Sequence, residues 1–186
     1  MENLTYVLKQ QKSEILQNWI QSILTSYPSG AVNFLKNQKD QFQNPVGQTV
    51  VREAEVLLEQ LLSKAEMEKV KVSLDNIIRI RAVQDFSPSQ AVAIFSSLKN
   101  ILIDLLATEL QEEKLRREFF QLERKIDQFA LLAFEIYSQC REKIYKIRLK
   151  EIKKWSGIIV EKDNEFLGRE NDNYKNRLNS NGGNDS

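Results

Sequence analysis

Apolar residues recur at intervals of three and four from the start of the chain: Leu4, Val7, Leu8, Ile15, Trp19, Ile20, Ile23 and Leu24 form one stripe. Lys12, Glu14, Gln17 and Asn18 take the opposite face. This spacing follows the 3.6-residue turn and predicts an amphipathic helix from Leu4 to Tyr27, stopped by Pro28-Ser29-Gly30. A short helix is predicted over Val32–Gln41, anchored by Phe34 and Leu35. Asn44-Pro45 reads as a cap followed by a first-turn proline, opening a helix through Leu62. Its inward face is Val46, Val50, Ala54, Leu57, Leu58 and Leu61. Glu66 to Gln84 gives the next helix, with Val70, Leu74, Ile77, Ile78 and Arg81 directed inward. Ser87-Pro88-Ser89-Gln90 is a capping-box start, and Ala91, Ile94, Phe95, Leu98, Ile101, Leu102 and Leu105 carry that helix to about Glu109. No segment alternates with a period of two, so strands are not expected.

From Glu112 a single helix is predicted to about Trp155. Leu115, Phe119, Leu122, Ile126, Phe129, Ala133, Ile136 and Cys140 step alternately by four and three, a heptad seam that shifts at Ile144 and continues through Ile147. A helix of about 44 residues would be about 66 Å long, more than a small domain spans, so part of it is expected to protrude or pair. Leu115, Phe119, Leu122 and Ile126 are the candidate dimer seam, the competing use being packing on the domain's own helices. Phe129 to Phe134 is apolar all round and is expected inside the domain. Beyond Trp155 the composition turns polar and asparagine-rich, predicting a mostly disordered tail over 156–186 with Ile158-Ile159-Val160 as a local apolar patch. The fold class expected is all-α: a single globin-like or bundle-like domain of about six helices over 1–155, with a long C-terminal helix.

Composition narrows the chemistry. Hydrophobic residues make up 41% of the 186, enough for a substantial core, and 27 basic against 26 acidic residues give no overall pull toward nucleic acid or anionic lipid. There is no histidine, which removes imidazole metal ligation, histidine acid–base catalysis and histidine-dependent nucleophile systems. No phosphate-cradling glycine loop is present, and acidic residues such as Glu53, Glu55, Glu112 and Glu113 are expected on solvated faces. No catalytic, metal or cofactor residue is therefore assigned. A haem would need Cys140, a Met or a Tyr as ligand, and Cys140 continues the apolar seam as a small hydrophobe. One cysteine, no secretory signal and no apolar run near the roughly 20 residues of a membrane span predict a cytoplasmic protein.

Two clusters remain as candidate sites. In the corner Asp75–Ala91, Asp75 and Arg79 stand one helical turn apart, and Arg81 and Asp85 are spaced alike. Arg79, Arg81, Asp85, Ser87 and Gln90 are read as a structural corner that could also anchor a ligand. The end of the long helix is basic: Lys143, Lys146, Arg148, Lys150, Lys153, Lys154 and Trp155 form a candidate surface for a protein partner or an anionic membrane, or simply a solvated face whose cations suit the helix C-terminus.

The residues Trp19, Tyr27-Pro28, Asn44-Pro45-Val46-Gly47, Ile77 to Ala91, Ile126-Asp127 and Ala130 to Tyr137 resemble the N-terminal domain family of RsbT co-antagonist proteins of the RsbRD type. The resemblance spans about Leu4 to Lys150. It implies an all-helical sensory or regulatory module akin to the non-haem globin-like input domains of bacterial stressosome proteins. Such modules dimerise and pass a signal along their C-terminal helix to a STAS domain. Here only a short polar stretch follows the long helix, so kinase antagonism is not carried over and the output is expected to be a partner protein. The expectation is a non-enzymatic, cytoplasmic, homodimeric signalling module with an unidentified protein partner. The alternatives are a small-ligand sensor with an apolar pocket, and a membrane-surface or nucleic-acid adaptor.

Overall fold

Six α-helices and one 3-10 turn make up the described residues, with no strand among them. The structure, a computed structural model, describes residues 3–28, 30, 32 and 44–181, with side chains through Ser156. The helices are α1 (Leu4–Gln10), α2 (Lys12–Thr25), α3 (Pro45–Leu62), α4 (Met67–Val83), α5 (Pro88–Leu105) and α6 (Glu113–Asn181); the 3-10 turn Glu109–Gln111 leads into α6. The short helix expected over Val32–Gln41 lies, apart from Val32, outside the described residues.

The first stripe is two helices rather than one. Gln11 leaves helical geometry (φ −97°, ψ 6°) and serves as the end of α1 and the start of α2. Apolar spacing survived this break because both pieces bury the same face, through Leu4, Val7 and Leu8 and then Ile15, Trp19, Ile23 and Leu24. The Trp19 indole N–H donates to the Ile94 carbonyl at 2.8 Å, joining α2 to α5 inside the core. Burying an indole with its one donor satisfied keeps its large apolar area without an orphaned N–H.

Helix α3 begins as its sequence requires. The Asn44 side chain accepts from the Gly47 N–H at 2.8 Å, and Pro45 occupies the first turn, where its missing N–H costs nothing. A Cβ on Gly47 would stand 2.3 Å from Asn44 Nδ2, so glycine makes room for the cap. One carboxylate departs from expectation: Glu53 is buried rather than solvated, its Oε1 accepting from Arg52 and, at 2.9 Å, from the Asn76 amide on α4. A buried carboxylate is tolerable here because it is hydrogen-bonded both by its own helix neighbour Arg52, a cation, and by Asn76 of the adjacent helix.

The chain divides into two compact units, Met1–Arg141 and Glu142–Ser186. In the first, the inward residues of α1 to α5 and those of α6 up to Cys140 form one hydrophobic cluster. In the second, the backbone is helical to Asn181, past the point where a disordered tail was expected to begin. Gly157 and Gly168 cost about 1 kcal/mol each relative to alanine and do not by themselves stop a helix, and no proline follows them.

If the Asn44–Gly47 contact is what starts α3, Gly47→Ala and Asn44→Ala should each lower stability by about 1 kcal/mol. Urea denaturation of the double variant should then show a loss well short of the sum, since both remove one cap; strict additivity would separate Gly47 from the cap.

Candidate functional site

The corner between α4 and α5 holds the densest set of specific interactions. Helix α4 ends in a Schellman-type turn, with the Phe86 N–H donating to the Arg81 carbonyl at 3.2 Å. Asp85 occupies the left-handed position of this turn, φ 56°, where glycine is the usual residue. The next helix starts at once: the Ser87 hydroxyl accepts from the Gln90 N–H, and the Gln90 side chain accepts from the Ser87 N–H at 2.9 Å, completing the predicted capping box. Ser87 and Gln90 therefore have a structural use before any other.

Arg81 is fully buried at the centre of this corner. Its Nη2 donates to the Ser26 hydroxyl (2.9 Å) and the Gln90 carbonyl (3.0 Å), while Nε and Nη1 have no hydrogen-bond partner. The guanidinium lies over the Phe86 ring at 4.2 Å and the Tyr27 ring at 5.4 Å, and those two rings meet edge to face at 5.1 Å. The Tyr27 hydroxyl is also buried without a partner. Burial pushes the Tyr27 hydroxyl up, against the opposing pull of Arg81, and pushes the Arg81 guanidinium down.

The expected pairing of Arg81 with Asp85 does not form. Asp85 lies beyond the helix end, so the one-turn spacing that would align them is lost, and its carboxylate accepts instead from Arg141 Nη1 of α6 at 2.7 Å. The same Arg141 nitrogen donates to the Ala82 carbonyl at 3.1 Å. One turn earlier, the Tyr137 hydroxyl donates to the Phe86 carbonyl. Two side chains of α6 thus hold the corner's backbone at both ends. Arg79 pairs with Asp75 at 2.7 Å as its spacing predicts, but on the exposed side: two positions along a helix is a rotation of about 200°, which separates Arg79 from Arg81. Beside Asp75 the Arg79 guanidinium is held above its ordinary value.

A cavity of about 260 Å³ opens at this corner, lined among others by Ser26, Tyr27, Phe86 and Gln90, which hydrogen-bond the Arg81 side chain or face it with a ring. Sequence reading found Arg81, Asp85, Ser87 and Gln90 but not Ser26, Phe86, Tyr137 or Arg141 as their partners. Nothing in the sequence tied Arg141 to the corner 56 residues before it.

Two other candidate surfaces fare differently. Leu115, Phe119, Leu122 and Ile126 are buried in the chain's own core, so the heptad seam is used within the chain and is not a free dimer face. A straight helix drifts about 20° per heptad, and the inward position accordingly passes from Ile136, half-buried, to the buried Tyr137. The stretch expected to be inside all round is one-sided: Phe129 and Ala133 are buried, whereas Leu131 is 71% and Phe134 48% exposed. Lys143, Lys146, Arg148, Lys150, Lys153, Lys154 and Trp155 are all exposed, and Ile147, expected to continue the seam, is exposed with them. Among the described residues no group of histidine, cysteine and carboxylate side chains could hold a metal ion, and no helix is long and apolar enough to cross a membrane.

The sequence profile of the RsbT co-antagonist protein rsbRD N-terminal domain matches residues 13–151, covering α2, the corner and α6 through the second unit's first turns. The chain belongs to this family of signalling-related regulatory domains. An uncharacterized protein of Archaeoglobus fulgidus is 27% identical over 147 residues, covering 75% of this chain and 83% of that one. No solved structure matches the chain significantly.

The left-handed residue gives a direct check on the corner. Both Asp85→Ala and Asp85→Gly forfeit the carboxylate's interactions, the Arg141 bond among them, but only alanine leaves a Cβ in an unfavourable conformation. The glycine variant should be the more stable by about 1 kcal/mol in chemical denaturation; equal stabilities would remove the backbone role.

Proposed function

We propose that this chain is a non-enzymatic, cytoplasmic sensory and regulatory module that works by protein–protein contact, pairing with a second copy through its long helix. The observation that carries the reading is the run of large apolar side chains open to solvent on the stretch from Glu142: Tyr145, Ile147, Leu149, Ile152 and Trp155, with Ile152 61% and Trp155 66% exposed. Scattered exposed hydrophobics are ordinary, but Tyr145, Leu149 and Ile152 step by four and three, the spacing at which paired helices interlock. Membership in a family of signalling-related regulatory domains supports the same reading. The pairing face proposed is therefore this stretch, since the earlier seam is already occupied by the core.

The interleaved cations support a second reading, attachment to an acidic surface. Lys143, Arg148, Lys150, Lys153 and Lys154 have no carboxylate within ion-pair distance among the described residues, while Lys146 bonds Glu142 at 2.6 Å. Cations alternating with Ile152 and Trp155 are what a helix lying on anionic lipid presents. The near-neutral net charge of +1 gives no comparable support to nucleic acid.

Light scattering on the full chain distinguishes the two. Self-pairing predicts a dimer at micromolar concentration that becomes a monomer when Leu149 and Ile152 are both changed to Glu. A wild-type monomer throughout that range would defeat the pairing, and co-sedimentation with phosphatidylserine vesicles at low salt would then favour the lipid reading.

A further inference from the structure

We propose that a carboxylate or phosphate group enters between the Tyr27 and Phe86 rings and takes the unpaired Nε and Nη1 of Arg81, with the Tyr27 hydroxyl as a third donor.

The case begins with an imbalance of charge. A guanidinium presents five N–H donors in a fixed plane and does not shed its proton, so it cannot be buried neutral. Ordinary buried arginines meet a carboxylate. Arg81 meets a hydroxyl, a carbonyl and two aromatic faces, all uncharged, and keeps two nitrogens unpaired. The ring contacts and two hydrogen bonds offset part of the cost of taking the charge out of water. They do not supply a counter-charge. A methionine or leucine would fill the same volume of core without that cost, which makes a purely space-filling arginine a poor solution.

Position supplies the second part. The four residues whose hydrogen bonds and ring faces meet Arg81 all line one cavity, while Arg81 itself is fully buried behind them, so an anion reaches it from the cavity by parting the two rings. The unpartnered Tyr27 hydroxyl belongs to the same wall. At about 260 Å³ the space is smaller than pockets for drug-sized ligands, which start near 300 Å³, and suits a single small anionic group. Asp85 also lines it and would repel an anion, but its carboxylate is drawn to Arg141 at 2.7 Å. Planar forked recognition of a carboxylate or phosphate is what a guanidinium with two free N–H groups does best.

The site also has a physical connection to α6. Phe86, one of the two roofing rings, has its carbonyl held by the Tyr137 hydroxyl, and its neighbour Asp85 is held by Arg141. An anion that parts the rings strains these bonds. This deepens the regulatory reading above by naming a class of input, and its link to output rests on that reading; occupancy of the site does not.

The full-length chain, labelled with nitrogen-15, would be titrated with sodium phosphate and separately with sodium acetate, chloride holding ionic strength constant, while the Arg81 Nε–H resonance is followed. A saturable millimolar shift is expected with at least one of them, and which one saturates distinguishes a phosphate from a carboxylate ligand. Tyr27→Phe keeps the ring over Arg81 and removes the hydroxyl; it should weaken binding about tenfold, equivalent to about 1.4 kcal/mol. Arg81→Gln, followed through the Phe86 backbone amide because the arginine resonance is gone, should show no saturable shift; if it fails to fold the tyrosine variant decides alone. Linear shifts matched by chloride, or a Tyr27→Phe affinity equal to wild type, would overturn the proposal. Light scattering of the same samples reads oligomeric state separately, so failure of binding and failure of pairing are told apart.

Discussion

A charged side chain with no charged partner, Arg81, is the constraint around which the corner is built. Once a guanidinium is placed in a core, every neighbour must face it with something other than plain hydrocarbon. Ser26 supplies a hydroxyl from the end of α2, Gln90 a carbonyl from the first turn of α5, and Tyr27 and Phe86 supply ring faces. Two segments far apart in the chain, 26–27 and 81–90, are thereby committed to one point. The tight turn follows from the same demand, because Phe86 reaches Arg81 only if α4 ends abruptly, and the left-handed Asp85 is what ends it.

The long helix α6 is a second organising element, and its two units use apolar residues in opposite ways. Up to Cys140 its inward residues complete the hydrophobic cluster, and Tyr137 and Arg141 secure the turn that carries Phe86. From Glu142 on, equally apolar residues are exposed. A heptad pattern reports only that one face of a helix is apolar. It is silent on whether the partner helix belongs to the same chain, which is why Leu115 and Ile126 could be read as a dimer seam and are core residues.

Much of the architecture was legible because its causes are local. Asn44-Pro45, Ser87-Pro88 and Gln90 cap helices through bonds to residues three positions away, and such bonds can be read from spacing alone. Asp75 and Arg79 meet for the same reason. The break at Gln11 was not legible, since a small change of backbone angle between two helices that bury the same face leaves the apolar stripe intact.

By itself the sequence determined the all-helical class, the capped helix starts at Pro45 and Pro88 and most of the inward face of α1 to α5, because three- and four-residue periodicity and capping are properties of neighbours along the chain. It also determined that histidine chemistry is excluded. Only the tertiary structure decided which charges meet. Asp85 accepts from Arg141 rather than Arg81, Arg81 meets the ring of Tyr27, and Glu53 is buried with Asn76, each pairing joining residues separated by tens of positions in sequence. Long-range proximity of that kind is set by how the helices pack on one another, and local spacing carries no record of it.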